Sequence, residues 1–121
     1  MRGRYEYGDV ERRQFKAALL ELCRNFDTRD DVDLSTTILS LHDCDCLLEE
    51  IGYDRDDYEI NGWEGDIWTR YCHRRENAPI LCVRACGYSG DLDLYFGDRY
   101  DEICINTEVL VEIIYEKWGK E

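Results

Sequence analysis

Residues 67–96 read IWTRYCHRRENAPILCVRACGYSGDLDLYF, and the reading of this run decides the fold. Three β-prone stretches are separated by turn residues. Along Ile67–Arg74, alternation puts Ile67, Thr69, Tyr71 and His73 on one face and Trp68, Arg70, Cys72 and Arg74 on the other, the period of two of a strand. Ile80–Cys86 is strongly apolar, as a strand in the middle of a sheet is. Leu92–Phe96 supplies a third strand. The intervening Glu76-Asn77-Ala78-Pro79, which holds the only proline, and Ser89-Gly90-Asp91 read as hairpin connections.

Working outward, Tyr58–Trp63 has strand composition and is joined to Ile67 through the turn residues Asn61-Gly62 and Glu64-Gly65. Gly97-Asp98 precedes a further strand around Glu102–Ile105. Upstream of Gly52 and downstream of Thr107 the period becomes helical. Asp9 is placed to cap a helix with Phe15, Ala18, Leu19, Leu22 and Phe26 on its apolar face. Its polar face carries Glu11, Arg12, Arg13, Lys16 and Arg24. Asp27–Ser35 reads as an exposed acidic loop. A second helix starts at Ser35 or Asp43, carries Leu47, Leu48 and Ile51, and stops at Gly52; Thr36–Leu41 fits either that helix or a short strand. Thr107 caps a last helix with Val109, Leu110, Ile113, Ile114 and Trp118. The expected architecture is one α+β domain over residues 1–121. An antiparallel sheet of four to five strands, within residues 58–105, is covered by the N-terminal helices and the C-terminal helix.

A chain of 121 residues with 44% hydrophobic content can build one core. No stretch approaches the roughly 20 apolar residues of a membrane span, and the start lacks the apolar run of a signal peptide. A soluble protein of the bacterial cytoplasm, with no membrane partner, is expected. The seven cysteines are an odd set without an export signal, which disfavours a disulfide framework. His42, Cys44 and Cys46 form H-x-C-x-C, and Cys82 and Cys86 stand four apart, but C-x-C is an awkward bite for a tetrahedral zinc cage. Reduced thiols and no metal or cofactor are expected.

Catalytic signatures are sparse. No G-x-S-x-G, P-loop or G-x-G-x-x-G occurs. A calcium loop starting at Asp54 fails at its sixth and twelfth positions, Glu59 and Gly65. Asp91, Asp93 and Asp98 suit loop solvation better than a nuclease metal site. His42 lies at an element boundary, and His73 cannot form a dyad with its strand neighbour Cys72. The expectation is a binding protein without catalytic residues.

Charge is the strongest signal. Fourteen of the 28 carboxylates lie between Asp27 and Asp66, opposed only by Arg29 and Arg55, so this segment carries twelve of the thirteen net negative charges. Crowding like charges raises the self-repulsion of a compact state, so the concentration points to a basic partner. Duplex DNA carries about one charge per 1.7 Å, and twelve charges match roughly 20 Å of duplex. Tyr53, Tyr58, Trp63 and Trp68 interleave with the acids; core packing accounts for at least half of them, Trp68 and one tyrosine, and the rest fit an interface core, where tyrosine and tryptophan are enriched. The expected partner-binding residues are Asp30, Asp31, Asp33, Asp54, Asp56, Asp57, Tyr58, Glu59, Trp63, Glu64 and Asp66. The field repels phosphate, so direct binding of nucleic acid is not expected, although Arg70, Arg74, Arg75 and Arg84 can form a small basic patch.

Leu47-Leu48-Glu49-Glu50-Ile51-Gly52 followed by Asp57-Tyr58-Glu59-Ile60-Asn61-Gly62-Trp63-Glu64-Gly65 resembles a segment of ArdA-type antirestriction proteins, over about 20 residues. In size, charge and want of catalytic motifs the chain is also similar to small acidic anti-CRISPR proteins. The resemblance implies mimicry of DNA, with carboxylates standing where phosphates sit. It implies a phage or mobile-element inhibitor that occludes the basic nucleic-acid channel of a host defence nuclease, an RNA-guided effector foremost. An immunity protein neutralising a basic nuclease toxin follows from the same electrostatics.

Overall fold

The computed structural model describes residues 8–26, 31–34, 40–61, 65–97 and 105–120, and for residues 57–61 the backbone alone. Three helices, α1 (Asp9–Arg24), α2 (Leu41–Glu50) and α3 (Thr107–Trp118), accompany five strands: β1 (Val32–Asp33), β2 (Tyr53–Asn61), β3 (Asp66–His73), β4 (Leu81–Ala85) and β5 (Leu92–Phe96). All pairings are antiparallel, in the order β1-β5-β4-β3-β2. This is the expected α+β plan: β2 to β5 form a meander and β1 adds to its far edge.

Alternation along each strand divides the sheet into two faces. Tyr53, Tyr71, Leu81, Val83, Leu92, Leu94 and Phe96 are buried on one face. Against them pack Phe15, Leu19 and Leu22 of α1, Cys44, Leu47 and Leu48 of α2, and Leu110, Ile113 and Ile114 of α3. All three helices therefore cover the same face. The other face carries no helix among the described residues.

Sequence expectation and structure differ at several boundaries. Gly8, not Asp9, is the N-cap of α1, which places Asp9 and Glu11 in its first turn, where carboxylates complement the helix dipole. α2 is capped by Ser40: its hydroxyl accepts the Asp43 N–H at 3.2 Å while the Asp43 carboxylate accepts the Ser40 N–H at 3.1 Å. That capping box makes Asp43 the third helical residue rather than the start. Residues 35–39 lie outside the described residues, so Ser35 and most of Thr36–Leu41 do too; Leu41 opens α2. Asn106 is the N-cap of α3, with Thr107 its first residue. Residues 98–104, which hold most of the strand expected around Glu102–Ile105, also lie outside.

Two corrections bear on the acidic segment. The stretch expected as a loop from Asp27 to Ser35 contains β1, whose Val32 and Asp33 pair with Leu94 and Asp93. The strand expected at Tyr58–Trp63 begins at Tyr53, so Asp54, Asp56 and Asp57 are strand residues and not loop residues. Aspartate is depleted from strands in general, which is why Asp54–Asp57 reads as a loop. Here β2 is an edge strand, where exposed charge costs little and discourages edge-to-edge pairing. Buried Tyr53 anchors its start, donating its hydroxyl to the Pro79 carbonyl at 2.7 Å. Gly52 makes the reversal from α2 into β2 at φ +96, a conformation that favours glycine.

Candidate functional site

The sheet order separates the two acidic clusters. Asp31 and Asp33 belong to the β1 edge, whereas Asp54 and Asp56 belong to the β2 edge; all four are exposed. Four inter-strand spacings lie between those edges, about 19 Å. Asp57, Tyr58 and Glu59 follow on β2, in register with Arg70, Thr69 and Trp68. Asp66 opens β3 and is half-buried, and one of its oxygens accepts the Gly87 N–H at 2.8 Å. Asp30, Trp63 and Glu64 lie outside the described residues.

One register row crosses the whole sheet: Asp33, Asp93, Arg84, Trp68 and Glu59. In its middle, Arg84 donates to the Asp93 carboxylate at 2.7 Å and lies over the Trp68 ring, 5.7 Å from its centroid. Trp68 in turn packs on Tyr95 at 5.3 Å between centroids. Burial raises the Asp93 pKa above the ordinary carboxylate value; the Arg84 hydrogen bond opposes that rise, and the charges of Asp31 and Asp33 add to it. The middle of the helix-free face is thus aromatic and charge-paired, and its two margins are acidic.

The basic patch weighed from the sequence is dispersed. Arg70 donates twice to Asp56 Oδ2, at 2.7 and 3.1 Å. A β-bulge between Arg55 and Asp57 leaves Asp56 without a cross-strand partner of its own. Arg75 reaches Glu112 and Glu116 on α3, and Arg84 is engaged with Asp93. Arg55 lies 3.7 Å from Asp45, and Arg12 makes a bidentate contact with Glu50. Asp31 and Asp54 make no ion pair among the described residues. Asp31 beside the β1 edge and Asp54 at the start of the longer β2 edge are thus exposed carboxylates without an ion pair among the described residues, whereas Asp56 is held by Arg70.

The aromatic candidates sort by burial. Tyr53 is 1% exposed, a core residue that no partner reaches. Trp68, expected in the core, is instead half-buried on the helix-free face. Tyr88, at the tip of the β4–β5 turn and 82% exposed, was missed; its place between Gly87 and Ser89-Gly90 was the available signal.

A half-open groove of about 360 Å³ adjoins the β2 edge, lined by His42, Asp45, Cys46, Glu49, Tyr53, Asp54 and Arg55. Its floor is fixed by the Tyr71 hydroxyl, which donates to Asp45 Oδ1 at 2.6 Å. On the same helix Cys44 points the other way, into the core at 0% exposure. The six described cysteines are free thiols.

Comparisons with protein-family models, with curated proteins and with solved structures return no match for this chain.

Proposed function

We propose that the protein is a stoichiometric inhibitor encoded by a phage or mobile element, which binds a basic nucleic-acid channel of a host defence nuclease and occludes it. The observation that carries this reading is the confinement of twelve net negative charges to residues 27–66, with Asp31, Asp33, Asp54 and Asp56 exposed on the sheet edges. Carboxylates there engage the Lys and Arg side chains that otherwise hold phosphates. Charge complementarity steers the encounter and raises the association rate, and desolvated contacts slow release. The likeness to antirestriction and anti-CRISPR proteins supports the same mode of action. An RNA-guided effector is the partner we favour.

The test is capture of partners from a bacterial lysate on the tagged chain, with Asp54→Lys/Asp57→Lys/Glu59→Lys as the comparison bait. Wild type is expected to retain a basic nucleic-acid-binding protein that the reversed variant loses, and capture should weaken as salt screens charges over about 8 Å at physiological ionic strength. A folded reversed variant that captures the same protein equally well overturns the reading. Capture of a secreted or polymorphic nuclease toxin would instead identify the chain as an immunity protein.

A further inference from the structure

The two edges of the sheet are unequal. β1 spans only Val32–Asp33, whereas β2 runs over nine residues, Tyr53–Asn61. β2 pairs with β3 on one side and stands last in the strand order. Successive residues of an antiparallel strand send their N–H and C=O groups to alternate sides, so every second residue of β2 turns both away from β3. Past the bulge between Arg55 and Asp57, the register with β3 is unbroken from Asp57 to Asn61. Among the described residues, no main-chain hydrogen bond links β2 to anything beyond β3. Such a row of donors and acceptors is a template for another strand.

Charge decides which strand. β2 carries four carboxylates, Asp54, Asp56, Asp57 and Glu59, against Arg55 alone. A second copy of this chain is a poor occupant, because pairing β2 with β2 brings the carboxylates of both copies to one seam, where like charges destabilise the pairing. A segment rich in lysine or arginine reverses the sign, since opposite charges across strands stabilise it. The start of the edge adds a receptacle, the groove of about 360 Å³ lined in part by Asp45, Glu49 and Asp54. Asp45 is held by Tyr71 and Arg55. Glu49 and Asp54 are exposed and make no ion pair among the described residues. Peptides that add to a sheet edge gain affinity from main-chain bonds and specificity from pockets that take alternate side chains, and here the two adjoin.

We propose that the outer edge of β2 binds an extended, lysine- or arginine-rich segment of a partner protein as an added strand, one cationic side chain of which enters the groove at Glu49 and Asp54. The inference deepens the inhibitor reading, on which it rests for a basic partner, and adds that the main chain of β2 makes the contact. A polycation held by charge alone needs no particular backbone. A strand partner needs its own N–H and C=O groups along one side.

The experiment uses the full chain, labelled for NMR, and two peptides of alternating arginine and threonine, each as long as β2. One has free backbone amides and the other is fully N-methylated. Their charge is identical, and only the first donates main-chain hydrogen bonds. Each such bond is worth about two- to tenfold in affinity, so across several of them the free-amide peptide should bind about tenfold or more tightly than its counterpart. Its binding should shift the β2 amides most and slow hydrogen exchange at alternate residues of that strand. Asp54→Lys/Asp57→Lys/Glu59→Lys, shown to be folded by circular dichroism, should lose it. Equal binding of the two peptides overturns strand addition and leaves the inhibitor reading standing on charge alone. Shifts concentrated away from β2 overturn it as well. If neither peptide binds, strand addition is overturned, while lysate capture still decides the inhibitor reading by itself.

Discussion

Cys86 sits in the turn between β4 and β5, where hydrogen bonds from the Ser89 hydroxyl and from the Ser89 and Tyr88 backbone lower its thiol pKa below the usual value. Cys23 and Cys44 are the opposite case. Burial pushes both thiols up to about 12, and for Cys44 the neighbouring Asp43 and Asp45 charges add to the effect. At neutral pH a maleimide should therefore label Cys86 first and leave Cys23 and Cys44 protected, with Ser89→Ala slowing the Cys86 reaction. Peptide mapping after a short pulse reads this directly. The buried thiols also set an alkaline limit. Their folded pKa lies above the unfolded value of about 8.5, so the stability they confer is complete below pH 8.5. It is lost as pH rises toward 12, because the unfolded chain releases those protons first, at about 1.4 kcal/mol per thiol per pH unit. Urea titrations at stepped alkaline pH should show that decline, with a smaller slope in Cys23→Ala. Gly52 is a second residue whose chemistry is dictated by position. A Cβ there would stand 2.5 Å from His73 Nε2, and that ring bridges two elements: its Nδ1 accepts the Arg75 N–H at 2.9 Å and its Nε2–H donates to the Ile51 carbonyl at 2.9 Å. Gly52→Ala combines a left-handed backbone with a displaced imidazole, and strained residues of this kind cost about 1–3 kcal/mol each. A lowered denaturation midpoint measures it.

At the scale of elements, α2 is held at its start by the Ser40–Asp43 capping box. Ser40→Ala removes the hydroxyl that accepts the Asp43 N–H, and should cost about 1 kcal/mol of stability without changing partner binding; thermal unfolding checks it. The elements also show where a sequence is legible. The 3.6-residue spacing of Phe15, Leu19 and Leu22, and of Leu110, Ile113 and Ile114, is a local pattern, and both helices lie where it places them. The alternation in β3 is equally local, as is the apolar run of β4. β1 and the first half of β2 are not legible in this way. Their aspartates favour a loop in isolation, and they become strands because β5 and β3 offer hydrogen-bonding partners while their outward faces remain in water. The glycine at the end of α2 was readable, since Gly52 follows the last apolar pair of the helix.

For the whole molecule, the excess of carboxylates between Asp27 and Asp66 is visible in composition alone. Its division between opposite edges of the sheet is not. Strand order depends on which strand joins β5, and no local periodicity encodes that. Charge pairing is hidden from the sequence for the same reason: Arg70 and Asp56, Arg84 and Asp93, and Arg75 and Glu112 meet only across strands or between layers. Most of these pairs are solvent-exposed, and such contacts contribute about 0–1 kcal/mol each. Their larger effect is on the field: Arg84 neutralises Asp93 in the middle of the helix-free face, and Arg70 neutralises Asp56 on the β2 edge.

The placement of β1 has a kinetic corollary. The three pairings within β2–β5 join neighbours in sequence, so their hairpins close short loops, whereas the pairing of Val32 with Leu94 closes half the chain. Loop entropy has to be met before so distant a pairing can stabilise anything. The meander and its helices can therefore assemble first, with β1 docking last and, on the native side, opening first. Native-state hydrogen exchange should show the Leu34 amide, bonded to the Leu92 carbonyl at 2.7 Å, exchanging through a lower-energy opening than the amides of Leu81–Ala85. Such an opening would release the acidic β1 edge while the rest of the sheet stayed intact, giving the molecule a movable margin on one side and a fixed one on the other.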